Sequence, residues 1–275
     1  MKLSVTEAQT ISLEILKRVT DICEKLNLRY YLMYGTLIGA IRHNGYIPWD
    51  DDTDIMMPRE DHDVLLNYLK NNSDELKGLE IYTPKINREY PYMITRISNP
   101  KYKLAMKNEY SYGMGIFIDI YPFDGLGRDF SKALGVEKKG DYLSSFCYLS
   151  TRKHYAFEST KGIYRNILKL PLFIIARLIG KDFFQRKLQA LEYYKPYDKS
   201  KYICCVVWAS GGAKDIFQRS WFNDFKYHKF EQYKFRIPIN YDAVLRHAYG
   251  DYMKLPPKSK RIGHHFYEVV VNNEK

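Results

Sequence analysis

Trp49-Asp50-Asp51-Asp52-Thr53-Asp54-Ile55-Met56-Met57, preceded by Tyr34-Gly35-Thr36 and followed much later by Phe117-Ile118-Asp119-Ile120, sets acids into what read as two β-strands. Side chains on a strand alternate between faces, so Asp52, Asp54 and Met56 share one face and Thr53, Ile55 and Met57 the other. Asp52 and Asp54 are then expected side by side, roughly 6–7 Å apart along the chain. On a helix, residues two apart diverge, and Pro58 marks the end of a regular element.

Neighbouring carboxylates repel unless a cation sits between them or one takes up a proton. A hard divalent cation with oxygen ligands, Mg2+ or Mn2+, is the natural partner. Asp119 lies in an apolar, β-branched run, where an acid is costly to bury alone. Beside the first strand it completes a three-carboxylate cage of Asp52, Asp54 and Asp119. Such a cage holds one or two ions, about 3.5–4 Å apart in two-metal sites, and serves phosphoryl or nucleotidyl transfer. A solvated acidic turn is the plainer alternative, and the flanking apolar residues and Asp119 argue against it. An EF-hand loop has Asp50, Asp52 and Asp54 at its first, third and fifth positions. It fails because Ile55 stands where glycine is needed and Asp61 where a bidentate Glu is expected.

Upstream, Leu28-Arg29-Tyr30-Tyr31-Leu32-Met33 reads as a strand, Gly35-Thr36 as a tight turn and Leu37-Ile38-Gly39-Ala40-Ile41-Arg42 as a short helix. A helix start after a glycine turn offers backbone N–H groups and a positive dipole end to a phosphate. Followed by two strand carboxylates and then a third, this is the local order of the nucleotidyltransferase, polymerase-β-like fold. The expected class is α/β (α+β): a mixed-sheet core with a helical elaboration.

The run from Tyr34 through Asp54 to Asp61 resembles the signature block of the LicD family, and Ile118-Asp119-Ile120-Tyr121-Pro122-Phe123-Asp124-Gly125 resembles its second block. A third block is Tyr249-Gly250-Asp251-Tyr252-Met253-Lys254-Leu255-Pro256-Pro257, followed by His264-His265. The resemblance implies an enzyme that moves a phospho-alcohol from a cytidine-nucleotide donor to a sugar hydroxyl. In the bacterial members the donor is CDP-choline and the acceptor a teichoic acid or lipopolysaccharide sugar; the fukutin relatives use CDP-ribitol. The metal ligands it implies are Asp52, Asp54 and Asp119, with Asp50 the first acid of the cluster; Asp51 varies among such relatives. The cysteine zinc site of fukutin-related proteins has no matching spacing here and is not carried over.

With 275 residues the chain can bury a substantial core. Cys23, Cys147, Cys204 and Cys205 show no paired metal spacing and read as buried thiols. The cytoplasm is the expected compartment, since no cleavable signal peptide is evident at the N-terminus and no run reaches the ~20 apolar residues of a spanning helix. A net charge of +11 suits a polyanionic partner: a nucleotide, an anionic glycan or an anionic membrane surface. Nucleic acid is not expected, because no RNA- or DNA-binding signature is present.

Apolar positions at Ile11, Ile15, Leu16, Val19, Ile22, Cys23 and Leu26 predict a helix over residues 6–26 that covers the sheet. The catalytic core is expected over residues 1–127 and a mainly helical elaboration over 128–275, packed on the core as one unit, with helices over residues 131–189 and a short strand in the tail from Tyr202. Within it, residues 167–180 are apolar and flanked by Arg165, Lys169, Arg177, Lys181, Arg186 and Lys187. This stretch is too short to span a bilayer, but either packs on the core or lies in the interface of an anionic leaflet. Twenty-six tyrosines offer aromatic faces to a quaternary ammonium as well as ordinary packing.

Arg42, after the Gly-Thr helix, and Arg96, in Met93-Ile94-Thr95-Arg96-Ile97, are the cations expected to hold donor phosphates, with structural ion pairs as the alternative. The phosphate-binding set is thus Gly35, Thr36, Arg42, Arg96, His264 and His265, the two histidines on the strength of the resemblance. The mechanism expected is in-line attack by a sugar hydroxyl on the donor phosphorus with CMP leaving, and Asp50 as general base. The alternatives are a nucleotidyltransferase that releases pyrophosphate from CTP and a catalytically silent nucleotide-binding protein.

Overall fold

The helix expected over residues 6–26 forms as α1 (Val5–Lys25) in the computed structural model, which describes residues 3–106, 108–155, 163–261 and 267–271. Its start is fixed by a capping box. Ser4 Oγ accepts from the Glu7 N–H at 3.2 Å and the Glu7 carboxylate accepts from the Ser4 N–H at 2.7 Å. Leu16, Val19 and Cys23 are fully buried against the sheet, where α1 lies on β4 and β6 (ranges below).

Next come β1 (Tyr31–Leu32), α2 (Tyr34–His43), β2 (Asp54–Pro58) and α3 (Arg59–Asn71). They are followed by β3 (Glu80–Tyr82), β4 (Thr95–Asn99), β5 (Tyr102–Met106) and β6 (Ile116–Gly125). The main sheet runs β1-β2-β6-β4-β3. Within that order β2 and β6 pair in parallel and the other pairings are antiparallel, so the protein is a mixed α/β structure. All ten residues of β6 are buried, as an apolar strand covered on both faces requires.

Three helices come next, α4 (Phe130–Ser150), α5 (Ile163–Ile179) and α6 (Lys181–Gln189), with α4 packed on the other two. These are the helices expected over residues 131–189. From Tyr202 the chain turns to short strands, β7 (Tyr202–Cys204), β8 (Phe217–Gln218), β9 (Phe225–Phe230) and β10 (Tyr233–Pro238), then α7 (Tyr241–Tyr249) and β11 (Tyr267–Val271). β7 extends the main sheet by pairing with the far end of β6, and β8 pairs with β7. β9 with β10 and β5 with β11 form two separate antiparallel ladders. All four cysteines are buried free thiols.

Arg59 and Asp124 lock the first and second sequence blocks together. The Arg59 guanidinium donates twice to the Asp124 carboxylate, at 2.9 and 2.6 Å, and both residues are about 1% exposed. This fastens the start of α3 to the end of β6, and the Tyr193 N–H donates to the same carboxylate.

Candidate functional site

Asp54 and Asp119 are register partners on the parallel strands β2 and β6, and Arg96 on β4 is the register partner of Asp119 from the other side. With strands about 4.8 Å apart, aligned residues stand in one row on one face. Arg96, Asp119 and Asp54 thus form a line across the sheet, all 5–6% exposed. The Arg96 Nε donates to Asp119 Oδ1 at 2.7 Å, while its guanidinium stacks over Phe117 at 4.1 Å and Tyr92 at 4.8 Å. Burial works against the Arg96 charge, but the adjacent Asp119 carboxylate outweighs it and holds the group charged, well above its ordinary pKa.

The acidic run is arranged differently from the expected strand. β2 begins at Asp54, so Asp52 lies in irregular backbone before it and the two do not alternate along one strand. A ring of buried hydroxyls holds that loop: Ser12 Oγ and Tyr46 OH at 2.8 Å, Tyr46 OH and Thr53 Oγ1 at 3.1 Å, and Thr53 Oγ1 donating to Ser12 Oγ at 3.1 Å. Gln9 Nε2 donates to the Asp50 carbonyl at 2.7 Å, and the Asp119 N–H donates to the Thr53 carbonyl at 2.8 Å. From this held loop, Asp50, Asp51 and Asp52 bring carboxylate oxygens within 4.8 Å of one another. Asp54 and Asp119 lie outside that triad, as the neighbouring pair, and Asp51 enters a cluster from which sequence reasoning sets it aside.

Gly35 and Thr36 lie inside the first turn of α2 and not in a turn before it. A Cβ on Gly35 would sit 2.6 Å from Asp50 Oδ2, so only glycine admits that carboxylate against the helix start. Thr36 Oγ1 accepts from the Asp54 N–H at 2.8 Å and the Asp54 carbonyl accepts from the Met33 N–H at 3.1 Å, joining helix and strand directly. Tyr34 takes a left-handed φ of +50°, a costly conformation for a bulky side chain. Its ring meets Tyr121 edge to face at 5.0 Å.

Tyr121 and Tyr249 show which groups face the acids. Burial, followed by the charges of Asp54 and Asp119, pushes the Tyr121 phenol well above its ordinary pKa. Tyr249 is 46% exposed as a residue, yet crowding about its hydroxyl, with Asp54, Asp215, Asp50 and Asp52 next in weight, raises it too. Tyr121 lies in the second sequence block and Tyr249 in the third, but among 26 tyrosines nothing in the sequence gives them a role of their own. Asp215 holds its own loop, accepting from the Ser210 and Gly211 N–H groups at 2.8 and 2.7 Å.

Arg42 reaches the third sequence block. Its Nη1 donates to the Tyr252 carbonyl at 2.6 Å and so ties α2 to the Tyr-Gly-Asp-Tyr block. Burial and the nearby Arg261 lower its pKa. Arg261 lies 5.4 Å over the Trp49 ring, so cations and an indole border the acidic loop. His264 and His265 lie outside the described residues.

The family model described as LicD/FKTN/FKRP, nucleotidyltransferase domain, matches residues 27–164, half of the chain and both acid-bearing strands. The chain belongs to this LicD family. It is 29% identical over 272 residues to the lipopolysaccharide cholinephosphotransferase LicD of Haemophilus influenzae, covering 98% of this chain and 99% of that one. Over 110 residues, 40% of this chain and 20% of the relative, it is 27% identical to the human ribitol 5-phosphate transferase FKRP. An uncharacterized Rickettsia typhi protein is 29% identical over 122 residues, 43% of this chain and 40% of its own. Similarity to a cholinephosphotransferase and a ribitol 5-phosphate transferase supports a transferase.

Proposed function

We propose that the protein transfers phosphocholine from CDP-choline to a sugar hydroxyl of a cell-surface glycan (a teichoic acid, lipopolysaccharide or capsule precursor), releasing CMP. The observation that carries the reading is the end-to-end similarity to a cholinephosphotransferase, together with intact acids at Asp50, Asp52, Asp54 and Asp119. The core, residues 1–127, is read as a nucleotidyltransferase-type unit with 128–275 built upon it. The reaction is assigned to the cytoplasmic face of a membrane.

The carboxylates that the structure brings together, Asp50, Asp51 and Asp52, fit the implied metal, while Asp54 and Asp119, which the sequence reading adds, stand outside that group. Mg2+ takes oxygen ligands at about 2.0–2.1 Å, so two ligands of one ion lie no more than roughly 4.2 Å apart. Carboxylate oxygens of Asp50, Asp51 and Asp52 within 4.8 Å of one another need little adjustment to meet that limit. Asp52, Asp54 and Asp119 are the proposed ligands, with Asp50 and Asp51 adjacent. Mg2+ or Mn2+, when bound, supplies positive charge to the donor diphosphate.

The chain's own groups do the rest. Gly35 and Thr36 place the N-terminal turn of α2 where its amides and dipole favour phosphate. Arg96 holds Asp119 in line. The acceptor hydroxyl oxygen attacks the phosphocholine phosphorus as its proton passes to Asp50, and the bond from phosphorus to the CMP oxygen breaks. Tyr34, Tyr121 and Tyr249 stand beside the acids and offer aromatic faces to the trimethylammonium.

Product analysis tests this reading. With Mg2+, CDP-choline and a sugar acceptor, CMP is the expected nucleotide product; pyrophosphate from CTP would establish nucleotidyl transfer in its place. Titration calorimetry with CDP-choline, CDP-ethanolamine, CDP-ribitol and CTP ranks the donors. Binding of a nucleotide with no turnover of any would leave a silent binding protein.

A further inference from the structure

Helix α5 keeps its apolar side outside the protein. Ile167, Leu172, Ile174, Ile175, Leu178 and Ile179 are exposed, Leu178 by 81% and Ile167 by 62%, while Phe173 and Ala176 face inward. At 100° per residue the six exposed aliphatics cover an arc of roughly 160°. The core-packing alternative thus accounts for only the inner edge of the helix. Single exposed aliphatics are ordinary, whereas a contiguous set marks a docking surface.

Charge decides between occupants. Residues 163–189 carry six Lys and Arg and a single acid, Asp182, which is paired with Lys181 at 2.8 Å and Arg88 at 3.3 Å. A second copy docking on this face would bring like charges together. An anionic lipid surface accepts both the aliphatics and the cations. No helix among the described residues is long and apolar enough to cross a membrane, so contact at the interface is the form this takes.

We propose that α5 lies in the interface of an anionic bilayer, with exposed Arg186 and Lys187 of the following helix meeting the headgroups. Arg177 is excluded from that role because its guanidinium donates to the Arg152 and Lys153 carbonyls at 3.0 and 3.1 Å. Lys169, Leu172 and Phe173 also wall a cavity of about 600 Å³ between α4 and α5, with Tyr148, Arg152 and Trp208 opposite. The docking itself does not depend on the phosphotransfer reading.

Flotation of the full chain with phosphatidylglycerol and with phosphatidylcholine vesicles, without donor, tests it. Salt-sensitive binding to phosphatidylglycerol alone is expected. Ile175→Ser/Leu178→Ser and Arg186→Gln/Lys187→Gln are each expected to weaken it at least tenfold, with CMP release to a soluble acceptor unchanged. No binding by the wild type, or equal binding by the variants, overturns the proposal. So does a wild-type dimer in light scattering that Ile175→Ser/Leu178→Ser converts to monomer while vesicles are ignored.

Discussion

Arg96 Nε lies 2.7 Å from Asp119 Oδ1 across the antiparallel strands β4 and β6, and each residue is nearly buried, between the acid-bearing strand β2 on one side and the Tyr92 and Phe117 rings on the other. In the folded chain Arg96 is engaged with an acid, the structural ion pair that the sequence offers as the alternative to a phosphate contact. Breaking a buried pair from one side leaves an uncompensated charge, at a cost of about 3–5 kcal/mol. Asp119→Asn and Arg96→Met are each expected to lose about 3 kcal/mol in urea unfolding, and the double variant less than the sum. Additive losses would show that the two do not act as a pair.

Asp52→Asn and Asp54→Asn are expected to abolish turnover with less than about 1 kcal/mol of destabilisation, because removing a ligand takes away charge aimed at the transition state. Asp51→Asn separates the two acid groupings. If the ions sit on Asp52, Asp54 and Asp119, Mn2+ affinity by titration is unchanged; if they sit on Asp50, Asp51 and Asp52, it falls. Near-normal turnover of Asp54→Asn with metal still required would remove Asp54 from the site.

The apolar run Ile55-Met56-Met57 closed by Pro58 made β2 legible, and the apolar run around Asp119 made β6 legible, because both strands are buried on both faces and carry few solvent-facing residues. What alternation did not show is where the strand starts. Asp52 is held by a loop whose geometry comes from Ser12, Tyr46 and Thr53, residues up to 41 positions apart, and no local pattern encodes such a ring. Arg42 and Arg96 look alike in sequence, as cations near a nucleotide site. Only register tells that one faces Asp119 and the other a carbonyl. Of the tail strands, the short one expected from Tyr202 forms as β7, while β8, β9 and β10 went unread because each is only two to six residues long. The outward face of α5 is equally invisible to periodicity, since a helix with aliphatics on most sides reads as core.

Gly35→Ala tests the contact between α2 and Asp50. Alanine favours a helix over glycine by about 0.8–1.0 kcal/mol, while its Cβ would fall 2.6 Å from Asp50 Oδ2 and displace that carboxylate. Stability is therefore expected to change little and turnover to fall at least tenfold. Unchanged kcat would mean that Asp50 has no part in the reaction. Thr36→Val, which strands the Asp54 N–H, is expected to cost about 1–3 kcal/mol, and Thr36→Ser to restore most of it.

His62 gives the fold a pH dependence of its own. Its ring is 2% exposed, with Nε2 2.9 Å from Thr95 Oγ1 and Nδ1 3.3 Å from Asp63 Oδ1. Burial lowers its pKa and, with the smaller help of the Arg59 and Lys85 charges, outweighs the hydrogen bond and charge of Asp63. Below pH ~6.5 the unfolded chain binds a proton that folded His62 resists, so stability present above that value is lost as the pH falls. Asp63, lowered to about 2 by its contacts with His62 and Lys85 despite burial, stays ionised through this window and adds no slope there. Between pH 7.5 and 5.5 the wild type is expected to lose up to about 1.4 kcal/mol per pH unit from His62. His62→Gln should show a visibly smaller fall in melting temperature over the same range. Parallel falls in the two proteins would assign the dependence to other groups.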